Sequence, residues 1–89
     1  MTLDLTGINT KVGFHHLAKT ELPFPDWYGV SWDAFWDCVI AAARDEMPQQ
    51  VIITNWAEFA EACPRDMQIL REIIADYNKE MAPKYMELA

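Results

Sequence analysis

Two aspartates four residues apart, Asp33 and Asp37, stand in the helically patterned segment Ser31-Trp32-Asp33-Ala34-Phe35-Trp36-Asp37. On a helix that spacing puts both carboxylates on one face, where like charges repel by about 0.2–0.5 kcal/mol. Trp36 lies beside them, and Trp27 and Tyr28 lie in the loop just before. Aromatic side chains are enriched where proteins bind one another, and a helix face meant only for water seldom carries tryptophan. The group reads as a surface for something positively charged. Spacing alone also leaves a plainer reading open, in which Asp33 complements the helix dipole and Asp37 is simply solvated.

A histidine beside this pair would point instead to metal binding or acid/base chemistry, and His15 and His16 are the two available. Adjacent residues on a helix point about 100° apart, so the two rings do not share one ion, and both are expected to face solvent. The chain has no His-x-x-x-His, no Cys-x-x-Cys and no glycine-rich phosphate loop. Ser31 is the only serine, and it reads as a helix cap rather than a nucleophile. A carboxylate metal hydrolase therefore remains as the weaker alternative; no cofactor and no metal site is expected.

Charge is concentrated around the same residues. Between Glu21 and Glu46 six acids face one base, Arg44, so this stretch carries −5 of the formal −7 of the chain. Such a balance repels nucleic-acid backbones and anionic membranes, which argues against direct binding to either. It favours capture of a basic protein. An acidic adaptor that binds a basic protein is a second alternative on these grounds.

With 89 residues, 52% of them hydrophobic, a single domain is expected, burying about 60–65% of its unfolded surface. Cys38 and Cys63 have no framework spacing and read as reduced thiols. The first residues alternate rather than forming a basic segment and an apolar run, and no run approaches the ~20 apolar residues of a membrane span. A cytoplasmic protein is expected.

The elements that must position the acids follow from patterning. Thr2 to Thr6 alternates and is closed by Gly7, predicting a first strand. Phe14, Leu17 and Ala18 recur at helical spacing between Lys11 and Glu21, with Thr10 as cap. Pro23, Pro25 and Gly29 keep Leu22 to Val30 in a loop. Ser31 then caps a second helix over Trp32 to Ala43, with Trp32, Phe35, Val39 and Ala42 facing inward and Trp36 partly covered. The run Val51-Ile52-Ile53 predicts a central strand buried on both faces. Asn55 and Glu58 form a capping box for a third helix ending near Cys63. Pro64 opens a fourth, whose Met67, Leu70, Ile73, Ile74, Tyr77 and Met81 keep the helical period until Pro83. Lys84 to Leu88 is a last short strand. Strands joined through helices form a parallel sheet, so the fold class is α/β, with three parallel strands and about four helices.

Glu21-Leu22, then Pro25, Tyr28-Gly29 and Trp32-Asp33-Ala34-Phe35-Trp36-Asp37, resembles the motif of the barstar family, inhibitors of the secreted ribonuclease barnase. The motif covers about 18 residues, and the order of elements agrees over most of the chain. The resemblance implies a barstar-like single domain over residues 1–89 that is not an enzyme. It is expected to plug the active site of a small basic ribonuclease, or of a ribonuclease toxin domain, in a 1:1 complex. It further implies that Asp37 takes the place of a substrate phosphate and that Asp33 makes the other main ionic contact. Trp27 would lie against the catalytic histidine of the nuclease. Tyr28, Gly29, Val30, Ser31 and Trp36 would complete the contact surface, and Asp76 on the fourth helix would reach basic residues. Val30 stands where the family often has an acid, Ser31 where it often has asparagine, and Trp27 where it has tyrosine. The implied target is therefore not restricted to barnase.

Overall fold

A computed structural model describes all residues from Met1 to Ala89. Its elements follow the predicted order: β1 (Thr2–Asp4), α1 (Lys11–Glu21), α2 (Trp32–Asp37), β2 (Gln50–Thr54), α3 (Ala57–Ala62), α4 (Pro64–Glu80) and β3 (Tyr85–Leu88). The three strands form one parallel sheet in the order β1-β2-β3, with Leu3 beside Ile53 and Val51 beside Met86. The α/β class and the strand arrangement expected from the sequence are those of the structure.

Strand order here equals chain order. Crossovers of the usual right hand then step twice in the same direction and lay their helices on the same face of the sheet. The burial pattern fits this: Leu3, Val51, Ile53 and Met86 point into the core, whereas Thr2, Asp4, Gln50, Tyr85 and Glu87 are exposed. The expectation of a central strand buried on both faces is thereby corrected. Ile52 and Thr54, on the far face of β2, are only partly covered.

The core is one cluster of 22 buried residues. α4 contributes Met67, Leu70, Ile73, Ile74 and Tyr77, the stripe read from the sequence. Phe14 of α1 sits at the junction with α2 and α3, its ring centroid 5.0 Å from Trp32 and 5.6 Å from Phe35 of α2, and 5.5 Å from Phe59 of α3. Polar ties lock the layers. Trp32 Nε1 donates to Asp66 Oδ1 at 2.9 Å, joining α2 to the start of α4. Asn78 of α4 donates to the Met86 carbonyl and accepts from the Met86 amide, at 2.9 and 2.8 Å, so the edge strand β3 is held by a side chain.

Two local expectations fail for identifiable reasons. The regular part of α2 stops at Asp37 and passes into a π-helical turn over Cys38–Ala42, marked by the Ala43 amide donating to the Cys38 carbonyl at 2.7 Å. A π turn carries one more residue than an α turn, so Ala43 rather than Ala42 reaches the core. The Asn55–Glu58 capping box does not form either. Asn55 takes a positive φ of 53° in the turn after β2, and its amide reaches across to Asp4 Oδ1 at 2.9 Å. Glu58 instead accepts from Asn9 Nδ2 at 3.1 Å, and α3 begins after Trp56 with no side-chain cap.

Large-to-small substitution of a buried aromatic costs about 3–5 kcal/mol, a large share of the roughly 4–13 kcal/mol expected for 89 residues. Phe14→Ala is thus expected to lower the urea midpoint severely or abolish folding. Val12→Ala, two residues away in the same helix and 60% exposed, should change stability by no more than about 0.5 kcal/mol.

Candidate partner-binding site

The loop from Pro23 to Val30 is fixed by apolar anchors and a few hydrogen bonds. Leu22 is buried at its start, and the Phe24 ring packs 4.7 Å from Tyr28 and 5.7 Å from Phe35 between centroids. The Tyr28 amide donates to the Pro25 carbonyl at 3.0 Å, and the Ser31 amide to the Gly29 carbonyl at 3.0 Å. Two side-chain bonds tie the loop to α1. Lys19 Nζ donates to the Asp26 carbonyl at 2.9 Å, and the Tyr28 hydroxyl meets Nδ1 of His15.

This second bond is buried. Tyr28 is 3% exposed and His15 1%. Tyr28, expected among the residues offered to a partner, therefore turns its ring inward and anchors the loop. His15, expected to face solvent, is also corrected to the interior; His16 is exposed as expected. The signal that finds His15 is its spacing of three and seven from Ala18 and Leu22, both buried. Burial, with Lys11 adding to it and Asp66 opposing, pulls the imidazole down to about 4. The Tyr28 phenol is pushed up by burial and by Cys38. His15 is thus neutral at physiological pH and bonds as a neutral ring.

With Tyr28 inside, its neighbours point out: Trp27 is 63% exposed and Val30 48%, and Gly29 is exposed too. Ser31 has the extended backbone of a cap, and its hydroxyl accepts from the Ala34 amide at 3.3 Å. Asp33 in the first turn and Asp37 in the last residue of α2 are both exposed, and Trp36 is half-buried against the core. Trp27, Gly29, Val30, Asp33 and Asp37 are thus exposed, and Trp36 half-buried, within one continuous stretch of chain from the loop to the end of α2. Asp76 is exposed on α4, a separate element.

Several bases are committed elsewhere. Arg44 Nη1 donates to the Ile40 carbonyl, Lys84 Nζ to the Arg44 carbonyl and Lys19 Nζ to the Asp26 carbonyl, while Arg71 stacks 4.9 Å from the Trp56 ring centroid. Four of the seven bases are held by carbonyls or an indole rather than by the α2 acids. No three His, Cys, Asp or Glu side chains converge as metal ligands do, and His15 bonds Tyr28 rather than an aspartate. Both cysteines are free, Cys38 buried and Cys63 partly covered. No helix is long and apolar enough to cross a membrane.

The family model described as Barstar (barnase inhibitor) matches residues 1–88. The chain belongs to the barstar family. A comparison with curated proteins finds no match. Membership in the barstar family supports a ribonuclease-inhibitor-like role with a ribonuclease partner. Inhibitors of this family are not enzymes.

His15 makes a pH-dependent contribution whose sign follows from its position. Its folded value of about 4 lies below the 6.5 of an unperturbed histidine, so between those values the unfolded chain binds more protons and stability falls as pH drops. Below about 4 this group adds no further loss. His15→Gln, whose amide oxygen can accept from the Tyr28 hydroxyl, is expected to flatten that part of the profile. Urea midpoints of both proteins from pH 7 to pH 4 check it; identical slopes would exclude His15 as the source.

Proposed function

We propose that this chain inhibits a small basic ribonuclease, or a ribonuclease toxin domain, by docking one-to-one over its active site with α2 and the loop before it. The observation that carries the reading is the display of two exposed carboxylates, Asp33 and Asp37, on a capped helix next to an exposed Trp27. Arginine grips a carboxylate by parallel charge-assisted hydrogen bonds much as it grips a phosphate. Asp37 so takes the place of a substrate phosphate, and Asp33 the second ionic contact. Trp27 lies against the catalytic histidine, with Gly29, Val30 and Ser31 closing around it. Trp36 stiffens the acidic face from behind, Tyr28 acts from inside the core, and Asp76 extends the acidic surface from α4. No metal or cofactor takes part. The protein works in the cytoplasm, against a nuclease made by the same cell or delivered into it.

Like charges that repel in the free inhibitor become favourable once a cationic site lies between them. The same field draws the partner in from a distance, and screening shortens its range.

RNA cleavage by barnase and by a panel of other small basic ribonucleases, titrated with this protein, tests the reading. Inhibition saturating at one equivalent is expected for at least one member, with association slowing as salt rises. Truncating one partner of a buried charge pair costs about 2–5 kcal/mol, a range to which the barnase–barstar pair itself contributes. Asp37→Ala should therefore weaken inhibition by about 30-fold to several thousand-fold with the fold intact by circular dichroism. Full inhibition by Asp37→Ala at one equivalent removes Asp37 from its role. Failure against every member, with capture of a basic protein that is not a nuclease, moves the chain to the adaptor reading.

A further inference from the structure

The loop before α2 is tied back onto α1 by the Lys19 and Tyr28 bonds. A pocket of about 170 Å³ opens between the two, lined by Val12, His16 and Lys19 of α1 and by Tyr28, Gly29 and Val30 of the loop, with His15 beside them. Three features set it apart. Val12 and Val30, 60% and 48% exposed, stand among the most exposed large apolar residues of the chain, together with Trp27 in the same loop. None of the lining residues is acidic, although the chain as a whole carries a formal charge of −7. Lys19 gives one bond to the Asp26 carbonyl, and an ammonium has three donors, so two remain for another acceptor.

From these we infer that the interface extends past the loop onto α1, and that this pocket receives an apolar side chain of the same ribonuclease flanked by one of its carboxylates. The inference rests on the inhibitor reading and adds a second, chemically opposite contact to it. The volume is that of a single aliphatic or aromatic side chain, held between two valines. The adjoining carboxylate meets Lys19, with the His16 ring at the rim. Continuity decides the occupant. The Gly29 and Val30 backbone that borders the pocket is the same segment that presents Trp27, so a protein seated on Trp27 and Asp33 already lies against the pocket mouth. The two contacts read different parts of the partner. The aspartates test for a cationic active site, whereas the pocket tests for one apolar side chain and one acid at its rim. The pocket is thus the element that discriminates among ribonucleases.

Val12→Asp is the direct test. The position is exposed and lies in the first turn of α1, which has no acid of its own, so the new carboxylate suits the helix dipole and the fold is kept. It sets a charge against the apolar occupant and its flanking carboxylate. For whichever ribonuclease of the panel the wild type inhibits, Val12→Asp is expected to weaken inhibition by about tenfold or more, mainly through faster dissociation. Val12→Ile, which keeps an apolar wall, should stay close to wild type. Equal inhibition by Val12→Asp and wild type, with Asp37→Ala still impaired, overturns the pocket assignment and leaves the inhibitor reading standing. Wild-type protein that sediments as a dimer, with Val12→Asp a monomer that inhibits equally well, assigns the pocket to self-association and also overturns it. Absence of inhibition by the wild type against the whole panel, with capture of a basic protein that is not a nuclease, removes the inhibitor reading and the pocket assignment with it.

Discussion

One buried contact, the Tyr28 hydroxyl on Nδ1 of His15, decides which residues of the loop face outward. Once the ring of Tyr28 is committed to the core, Trp27, Gly29 and Val30 are left on the surface with a defined direction. The contact has a cost. His15 Nε2 is buried with no partner, so either a ring proton or a lone pair is left unmet, depending on which nitrogen carries the hydrogen. An unmet buried group costs about 1–3 kcal/mol. The Phe14 and Trp32 rings around the imidazole, 5.4 and 4.6 Å away between centroids, supply packing that offsets it. The fold accepts an unsatisfied nitrogen and gains a loop of fixed shape.

The acids on α2 involve a second compromise. Their repulsion weakens a helix that is only six residues long before its π turn. The Ser31 cap and the position of Asp33 in the first turn return part of that loss. The larger support is tertiary: Trp32 and Phe35 are buried on the opposite side, and the indole of Trp32 is bonded to Asp66. Stability of this segment therefore comes from its apolar face, which leaves the polar face free to be unfavourable by itself.

Most of this was legible in the sequence where a pattern repeats and illegible where one long-range bond decides. The bounds of α1, the core stripe of α4, the Ser31 cap and the order of elements along the chain all follow from periodicity, proline and capping chemistry. The inward turn of His15 and Tyr28 does not, because a histidine at a helical position fits water or a core equally well until a phenol arrives from a loop 13 residues away. Asn55 shows the same limit: Asn55 with Glu58 reads as a local cap, yet the Asp4 carboxylate competes for the asparagine amide. That carboxylate also accepts from the Thr6 hydroxyl and amide, and these bonds, the Thr6 hydroxyl first, hold Asp4 below its usual value. The exchange of Ala42 for Ala43 came from a backbone slip of one residue, which apolar spacing does not register when three alanines stand in a row. Of the candidate site, the carboxylates and Trp27 were visible because they break the rule that exposed helix faces and loops avoid paired charge and large rings. The α1 side of the pocket was not, since it breaks no such rule and exists only once the loop is folded against it.

Rigidity behind the acids bears on how tightly such a surface holds a partner. Binding costs about 0.5–1.5 kcal/mol for each long side chain that must be immobilised, and aspartate and tryptophan on a short capped helix and a tethered loop have little left to lose. Charge then governs mainly how fast a basic partner arrives, because fields act at a distance. Apolar contacts act only after docking and govern how long it stays. In this chain the two kinds of residue stand side by side: Asp26 and Trp27 are both exposed in the loop, and Trp36 lies half-buried between Asp33 and Asp37 along α2. Added salt therefore slows arrival, whereas the apolar share of the hold after docking is almost unchanged by it.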